Sequence, residues 1–316
     1  MSLPVVDLAQ DPRHLAPAVD EICRDIGFFA VTGHGVAQDV IDTAWRATQR
    51  FFDLDLEAKM AARHPTEDDH PYGYFPAGQE ALAASLGRVT PPDIKESFNL
   101  APPADHADGT GRFGGVDRIW PAAMPGLRPA WEAYYDAMVH LSERLLSLMA
   151  QALRVDPAFF LRTVDRHLSA LRGLNYPPLT ADALPGQLRA GEHSDYGTLT
   201  VLLPGPGTGG LEVLRADDTW VAVQPIEDGF VVNLGDMMQR WTNDRWRSTR
   251  HRVAIPDDTH AAAERRQSIA FFHQPNWDAR IEAIPTCVEP GESPRHGPVL
   301  AGPWLASKFD AASTGP

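Results

Sequence analysis

From Leu171 to Phe272 the chain breaks into short apolar runs, Leu199–Leu203, Leu211–Leu214, Trp220–Val223, Gly229–Leu234, Val253–Ile255 and Ser268–Phe272, separated by Gly, Pro, Asn and Asp. Runs this short have the length of strands, and the turn residues between them send the chain back on itself. Many short strands in series fold as a closed barrel or as two stacked sheets. The preceding part has a different period. Leu15, Val19, Ile22 and Ile26 recur at helical spacing, as do Ile41, Trp45, Thr48 and Phe52, while Tyr134, Met138, Leu141, Leu145 and Leu148 form the longest stripe. Pro129 sits near the start of that third stripe, where a missing amide does no harm. All three read as helix faces turned to a core, and segment 101–129, rich in Gly, Pro and Asp, reads as a long ordered connection. The expected class is α+β with a mainly β core.

Composition narrows the partners. No run approaches the roughly 20 apolar residues needed to cross a bilayer, and the N-terminus lacks a basic segment followed by an apolar one. Cys23 and Cys287 stand in unrelated settings without metal or redox spacing, which predicts free thiols and a reducing, cytoplasmic location. A formal net charge of -14 argues against nucleic acid and anionic membranes, both of which need a basic surface. A small-molecule partner and a monomer or weak homo-oligomer are expected.

The chemistry is concentrated in the β-rich part. In an extended strand alternate side chains share a face, so His193 and Asp195 point the same way and Ser194 points opposite. A third ligand must come from another strand, and His251 fits, since Trp246-Arg247-Ser248-Thr249 leads through it into an apolar run that Pro256 ends. Two imidazoles and one carboxylate on one face of a metal leave the other positions open, the arrangement of non-haem Fe(II) oxygenases. Catalytic zinc uses similar ligands, but the helical H-E-x-x-H of zinc proteases is absent. Arg266 and Ser268, again two apart, head a strand-like run. A guanidinium fork grips a carboxylate through two charge-assisted hydrogen bonds and a neighbouring hydroxyl adds a third, so this pair reads as a dicarboxylate anchor. With 12 histidines in the chain each piece alone is common, and it is their order that carries weight. Gly205-Pro206-Gly207-Thr208-Gly209-Gly210 satisfies G-x-G-x-x-G, yet a strand-like run follows where a dinucleotide site needs a helix. It reads as a hairpin turn.

Over nearly its full length the chain resembles the isopenicillin N synthase-like branch of the Fe(II)/2-oxoglutarate-dependent oxygenases. The resemblance runs from Pro4-Val5-Val6-Asp7-Leu8 and the step Cys23 to Val36, through Phe51-Phe52, Gly73-Tyr74 and Asp93 to Phe98. It continues with Asn175-Tyr176-Pro177-Pro178, His193-Ser194-Asp195, Asn233-Leu234-Gly235-Asp236, Thr242-Asn243-Asp244, His251-Arg252-Val253 and Arg266-Gln267-Ser268. It implies a double-stranded β-helix (jelly roll) flanked by N-terminal helices: a helix-rich region 1–128, then 129–316 carrying the long helix and the catalytic core, the two forming one integrated unit. It also implies that His193, Asp195 and His251 hold Fe(II), that Arg266, Ser268 and Tyr176 hold the cosubstrate 2-oxoglutarate, and that O2 is consumed. The implied activity is hydroxylation, desaturation or ring closure of a small organic metabolite, with release of succinate and CO2. Many 2-oxoglutarate users carry Asn two residues before the Tyr, where this chain has Leu174. Asn175, on the opposite face from Tyr176, does not replace it. Oxidation without 2-oxoglutarate, as by isopenicillin N synthase itself, is the alternative, ahead of a zinc hydrolase or a non-catalytic ligand-binding jelly roll. Tyr72, Tyr74, Lys95, Phe98, Tyr196 and Phe272 are the positions at which the resemblance places substrate contacts.

Overall fold

The computed structural model describes residues 2–64, 71–106, 113, 116–179, 183–205, 209–224, 226–256 and 263–313. The three apolar stripes become α1 (Pro12–Asp25), α2 (Gln38–Phe52) and the long α4 (Leu127–Ala152), with short helices α3 (Leu56–Met60) and α5 (Asp236–Trp241) and a C-terminal α6 (Ala301–Ser313). The start of α1 shows why the chain turns helical there. The Asp11 carboxylate accepts the Arg13 amide at 2.9 Å, and Pro12, which has no amide to leave unsatisfied, opens the first turn. Among the described residues no helix is long and apolar enough to cross a membrane.

The strands in chain order are β1 (Val5–Asp7), β2 (Phe28–Thr32), β3 (Gly73–Phe75), β4 (Glu96–Leu100), β5 (Ala170–Tyr176), β6 (Ala190–His193), β7 (Leu199–Pro204), β8 (Leu211–Leu214), β9 (Trp220–Ala222), β10 (Phe230–Leu234), β11 (His251–Val253), β12 (Arg266–His273), β13 (Arg280–Ile281) and β14 (Val299–Leu300). An eight-stranded sheet has the order β1-β2-β10-β7-β12-β5-β4-β3, and it faces a four-stranded sheet ordered β6-β11-β8-β9. Apart from the parallel β1–β2 pair, neighbours in both sheets are antiparallel. This is a jelly roll with helices on the outer face of the larger sheet.

The first part also supplies strands: β1 to β4 extend the large sheet at both ends, and the Gly73-Tyr74 and Asp93–Phe98 segments supply β3 and β4. Two local expectations are corrected. The strand expected over Val253–Ile255 instead spans His251–Val253. β7 and β8 lie in different sheets, so they are not the two arms of a hairpin; residues 206–208 of the glycine-rich segment lie outside the described ones.

Register fixes which side chains face the interior between the sheets. Across the large sheet Phe28 lies opposite Asn233, Asn233 opposite Thr200, and Thr200 opposite Phe272. Along β12 the same face carries Ala270, Ser268 and Arg266, paired with Arg172, Leu174 and Tyr176 of β5. Leu174, Tyr176 and Ala270 pack with Ala190 and Val253 of the small sheet, closing one end of the interior. The opposite face packs on α1, α2 and α4. There Gly173 has no Cβ because one would lie 3.0 Å from both Trp131 and Thr48, so the glycine lets α4 close onto β5.

On that outer side His167 and the fully buried His273 lie 5.4 Å apart, with Ser169 Oγ 2.8 Å from His273 Nδ1. Burial, then the neighbouring His106 and Arg118, push the His167 imidazole down to about 4, and burial and His167 push His273 well below its ordinary value. In the unfolded chain an imidazole titrates near 6.5. As pH falls below that value the unfolded chain takes up protons that the folded chain refuses. Stability is therefore full above about pH 6.5 and falls toward pH 4. The His167 part of the loss is about 2 kcal/mol at pH 5. Urea unfolding of metal-free protein at pH 7 and pH 5 checks this, and His167→Gln is expected to flatten the slope. An unchanged slope in that variant would exclude His167 as its source.

Candidate functional site

His193 ends β6 and lies directly opposite His251 on β11, with ring centroids 4.3 Å apart. Asp195 is not on the strand, which stops at His193, so alternation along a strand is not what aims it. The clasp comes from α5. The Asp236 amide donates to the Asp195 carbonyl at 2.8 Å and the Met237 amide to the Tyr196 carbonyl at 3.1 Å, so the start of α5 grips the backbone of the carboxylate's segment. Gly235 makes the approach possible, since a Cβ there would sit 2.3 Å from the Gly197 carbonyl oxygen.

The result is a compact donor set. Asp195 Oδ1 lies 3.9 Å from His193 Nε2 and 3.8 Å from His251 Nε2, and the three ligand atoms lie within 4.8 Å of one another. The three donors thus gather at one point of the interior, where one metal ion could be shared among them. Protons are also arranged for it. His193 Nδ1 is 2.7 Å from the Gly191 carbonyl and His251 Nδ1 is 3.1 Å from the Thr249 carbonyl, contacts that require N–H at Nδ1 and leave the Nε2 lone pairs facing Asp195. Burial first, then His251, hold the His193 imidazole in its neutral, metal-binding form by lowering its pKa. Burial alone would raise the Asp195 carboxyl; beside neutral imidazoles it is the hydrogen bonds from Asn233 and Thr200 that favour its ionised form.

Sequence reasoning missed two of those partners. Asp195 Oδ2 accepts from Thr200 Oγ1 at 2.6 Å and from Asn233 Nδ2 at 2.7 Å, leaving Oδ1 for the metal. Their signal was a polar residue on each of two apolar strands, and register makes them a cross-strand pair. Outer partners of metal ligands are typically worth 10–100-fold in affinity. Asn233→Ala is expected to weaken Fe(II) binding by about that factor, measured by anaerobic titration of metal-free protein. Affinity equal to wild type would deny Asn233 this role.

Arg266 and Tyr176 are cross-strand partners at the end of the same interior face, and the guanidinium lies 4.7 Å over the Tyr176 ring. Arg266 Nε donates to the Gly209 carbonyl at 2.9 Å and Nη1 to Ser268 Oγ at 3.4 Å, which fixes the fork and leaves its other N–H groups for a carboxylate. Gly209 gives a part of the glycine-rich segment a use that no side-chain pattern announces. Asn175 faces away, donating to Glu96 at 2.7 Å and accepting from Arg265 at 2.5 Å.

The other sequence candidates divide. Tyr196 is half-buried next to Asp195 of the donor triad, its ring 5.3 Å from Phe309 of α6, and Phe272 packs against the interior cluster. Tyr74 and Phe98 face the helices instead, with Phe98 4.6 Å from Phe51 and 5.2 Å from Trp131 and Tyr74 6.0 Å from Phe51. Tyr72 is buried and donates to the Phe113 carbonyl at 3.0 Å. Lys95, also buried, pairs with Asp93 at 2.9 Å and Glu80 at 3.2 Å.

Comparison with known proteins agrees with this geometry. Residues 3–123 match the family described as non-haem dioxygenase in morphine synthesis N-terminal, and residues 165–275 match the 2OG-Fe(II) oxygenase superfamily. Validamycin A dioxygenase of Streptomyces hygroscopicus subsp. limoneus is 32% identical over 303 residues, covering 92% of this chain and 81% of that protein. The 2-oxoglutarate-Fe(II) type oxidoreductase hxnY of Emericella nidulans is 34% identical over 294 residues, covering 90% and 81% respectively. Among solved structures, a full-length Neurospora crassa protein in complex with alpha-KG superposes with a TM-score of 0.85 at 29% identity, covering 98% of this chain and 96% of that one; the complex of the same protein with alpha-KG and thymine superposes with a TM-score of 0.84 at 28% identity over the same shares. These relatives do not favour an oxidase that dispenses with 2-oxoglutarate. A His-Asp-His donor set suited to iron and these matches together show that the chain belongs to the 2OG-Fe(II) oxygenase superfamily, as a non-haem Fe(II)/2-oxoglutarate-dependent dioxygenase.

Proposed function

We propose that His193, Asp195 and His251 hold Fe(II), that Arg266, Ser268 and Tyr176 hold the C5 carboxylate of 2-oxoglutarate, and that the substrate is a small metabolite of specialised metabolism oxidised in the cytoplasm. The observation that supports the reading is the joint placement of the donor triad and the Arg266–Tyr176 pair on the interior side of the two sheets. The naming of a relative for validamycin A and the thymine complex of the Neurospora protein support a small substrate. Free Cys23 and Cys287 suit a reducing compartment.

Each protein group has a definite task. Asn233 and Thr200 hold one oxygen of Asp195, so its other oxygen is presented to the metal. Arg266, braced by Gly209 and Ser268, orients the cosubstrate by its far carboxylate. Tyr196, adjacent to the metal carboxylate, and Phe272, opposite Thr200, offer aromatic walls to a substrate and exclude water from it. When bound, iron supplies oxygen activation coupled to decarboxylation of 2-oxoglutarate to succinate and CO2.

The test is succinate formation from 2-oxoglutarate under air with added Fe(II) and ascorbate, accompanied by titration of the anaerobic Fe(II) protein with 2-oxoglutarate. Succinate and a visible metal-to-ligand charge-transfer band are expected. Bound iron with neither signal at millimolar cosubstrate would defeat the assignment of Arg266 to 2-oxoglutarate.

A further inference from the structure

The strands that carry the two imidazoles do not pair evenly. His193 lies opposite His251 and Ala190 opposite Val253, so three steps along β6 match two along β11. The extra residue makes a β-bulge at Gly191-Glu192, and a bulge re-aims the side chains that follow it. Strict alternation would put Ala190 and His193 on opposite faces. Here both turn inward, Ala190 into the cluster with Tyr176 and His193 onto His251.

A bulge is locally unpaired, and this one is pinned from two sides. On one side Asp93 Oδ1 accepts the Gly191 amide at 2.9 Å, and the Gly191 carbonyl meets His193 Nδ1. Lys95 holds that aspartate in turn. On the other side the buried Glu192 carboxylate takes Arg250 Nη1 on Oε1 at 2.8 Å and Arg88 Nη1 on Oε2. Glu192 immediately precedes His193, and Arg250 immediately precedes His251. The two residues before the two imidazoles are thus tied to each other across the strands, and Arg88 links them to the end of the turn Leu82–Leu86.

We propose that Glu192 is a positioning residue of the metal centre. By bridging Arg250 and Arg88 it fixes the bulge and so the separation of the His193 and His251 rings, and iron retention depends on a carboxylate that never touches iron. The inference rests on the reading of His193, Asp195 and His251 as the metal ligands.

A bridge that only stabilised the fold would change the melting temperature and leave the metal affinity of the folded protein unaltered. The experiment therefore measures both, on metal-free protein: the Fe(II) dissociation constant by anaerobic titration and the apo melting temperature, for wild type, Glu192→Gln, Arg250→Met, Arg250→Lys, Arg88→Met and His251→Ala. Glu192→Gln is expected to weaken Fe(II) by about 10- to 100-fold, the range for outer partners of metal ligands. Arg250→Met should follow it, and Arg250→Lys, which keeps a cation for Glu192, should recover part of the loss. Wild-type iron affinity in folded Glu192→Gln overturns the proposal, whatever its melting temperature. Should that variant not fold, Arg88→Met removes half the bridge from an exposed arginine, and wild-type affinity there overturns it equally. His251→Ala separates the two readings. If it loses iron while the bridge variants keep it, only the role of Glu192 fails. If it keeps iron, the metal assignment fails.

Discussion

Asp195→Ala, purified metal-free and offered Fe(II) anaerobically, is expected to bind it more than about 100-fold more weakly than wild type, beyond the range for losing an outer partner, and to form no detectable succinate. Removing the carboxylate leaves two imidazoles, and it takes away the only anion in the donor set. Thr200 Oγ1 and Asn233 Nδ2 would then point at a void in which neither has its acceptor. His193→Ala and His251→Ala should lose turnover for the same reason of ligand count. Near-native activity with unsupplemented iron in any of the three would remove that residue from the metal.

Arg266→Lys is expected to raise the 2-oxoglutarate requirement by roughly 30- to 1000-fold, that is about 2 to 4 kcal/mol, the scale seen when a buried charge loses its matched partner. A lysine ammonium is a point charge that cannot make two parallel bonds to one carboxylate, nor lie flat over the Tyr176 ring as the guanidinium does. Nothing in the substitution touches the donor triad, so iron affinity should stay close to wild type. The comparison of the two titrations is the check: unchanged 2-oxoglutarate kinetics would exclude Arg266 from the cosubstrate site.

The parts of this site that depend on residue type and order were legible in the sequence. His193, Asp195, His251, Arg266 and Ser268 carry chemistry that few other side chains can replace, and the structure gathers the donors of the first three within 4.8 Å. What depended on register was not legible. Tyr74 and Phe98 are aromatic residues of short strands, and alternation alone does not say which set faces the cavity; a one-residue shift exchanges them. Only the pairing of Phe98 with Gly173, whose outer side is filled by Trp131, sends them to the helices. Backbone partners were equally silent. The Gly209 carbonyl that braces Arg266, and the amides of α5 that hold the Asp195 segment, belong to groups that every residue carries. The helices were readable because a stripe of five apolar residues such as that from Tyr134 to Leu148 needs no long-range partner to define its face.

The place of β2 in the large sheet has a consequence for how the molecule is made. Ala30 of β2 pairs with Val231 of β10, about 200 residues later in the chain. At ordinary rates of synthesis, roughly 10 to 40 s separate the appearance of the two strands. Through that interval β2 lacks its β10 partner, and Phe28, Phe29 and Val31 lack their final cover. Pairings so distant in sequence are slow to close even once the whole chain is free. The ring of Phe28 finally rests 5.2 Å from that of His251, so the donor triad gains this wall only when an early strand meets late ones. A site built on His251 is thereby complete only after most of the polypeptide has left the ribosome.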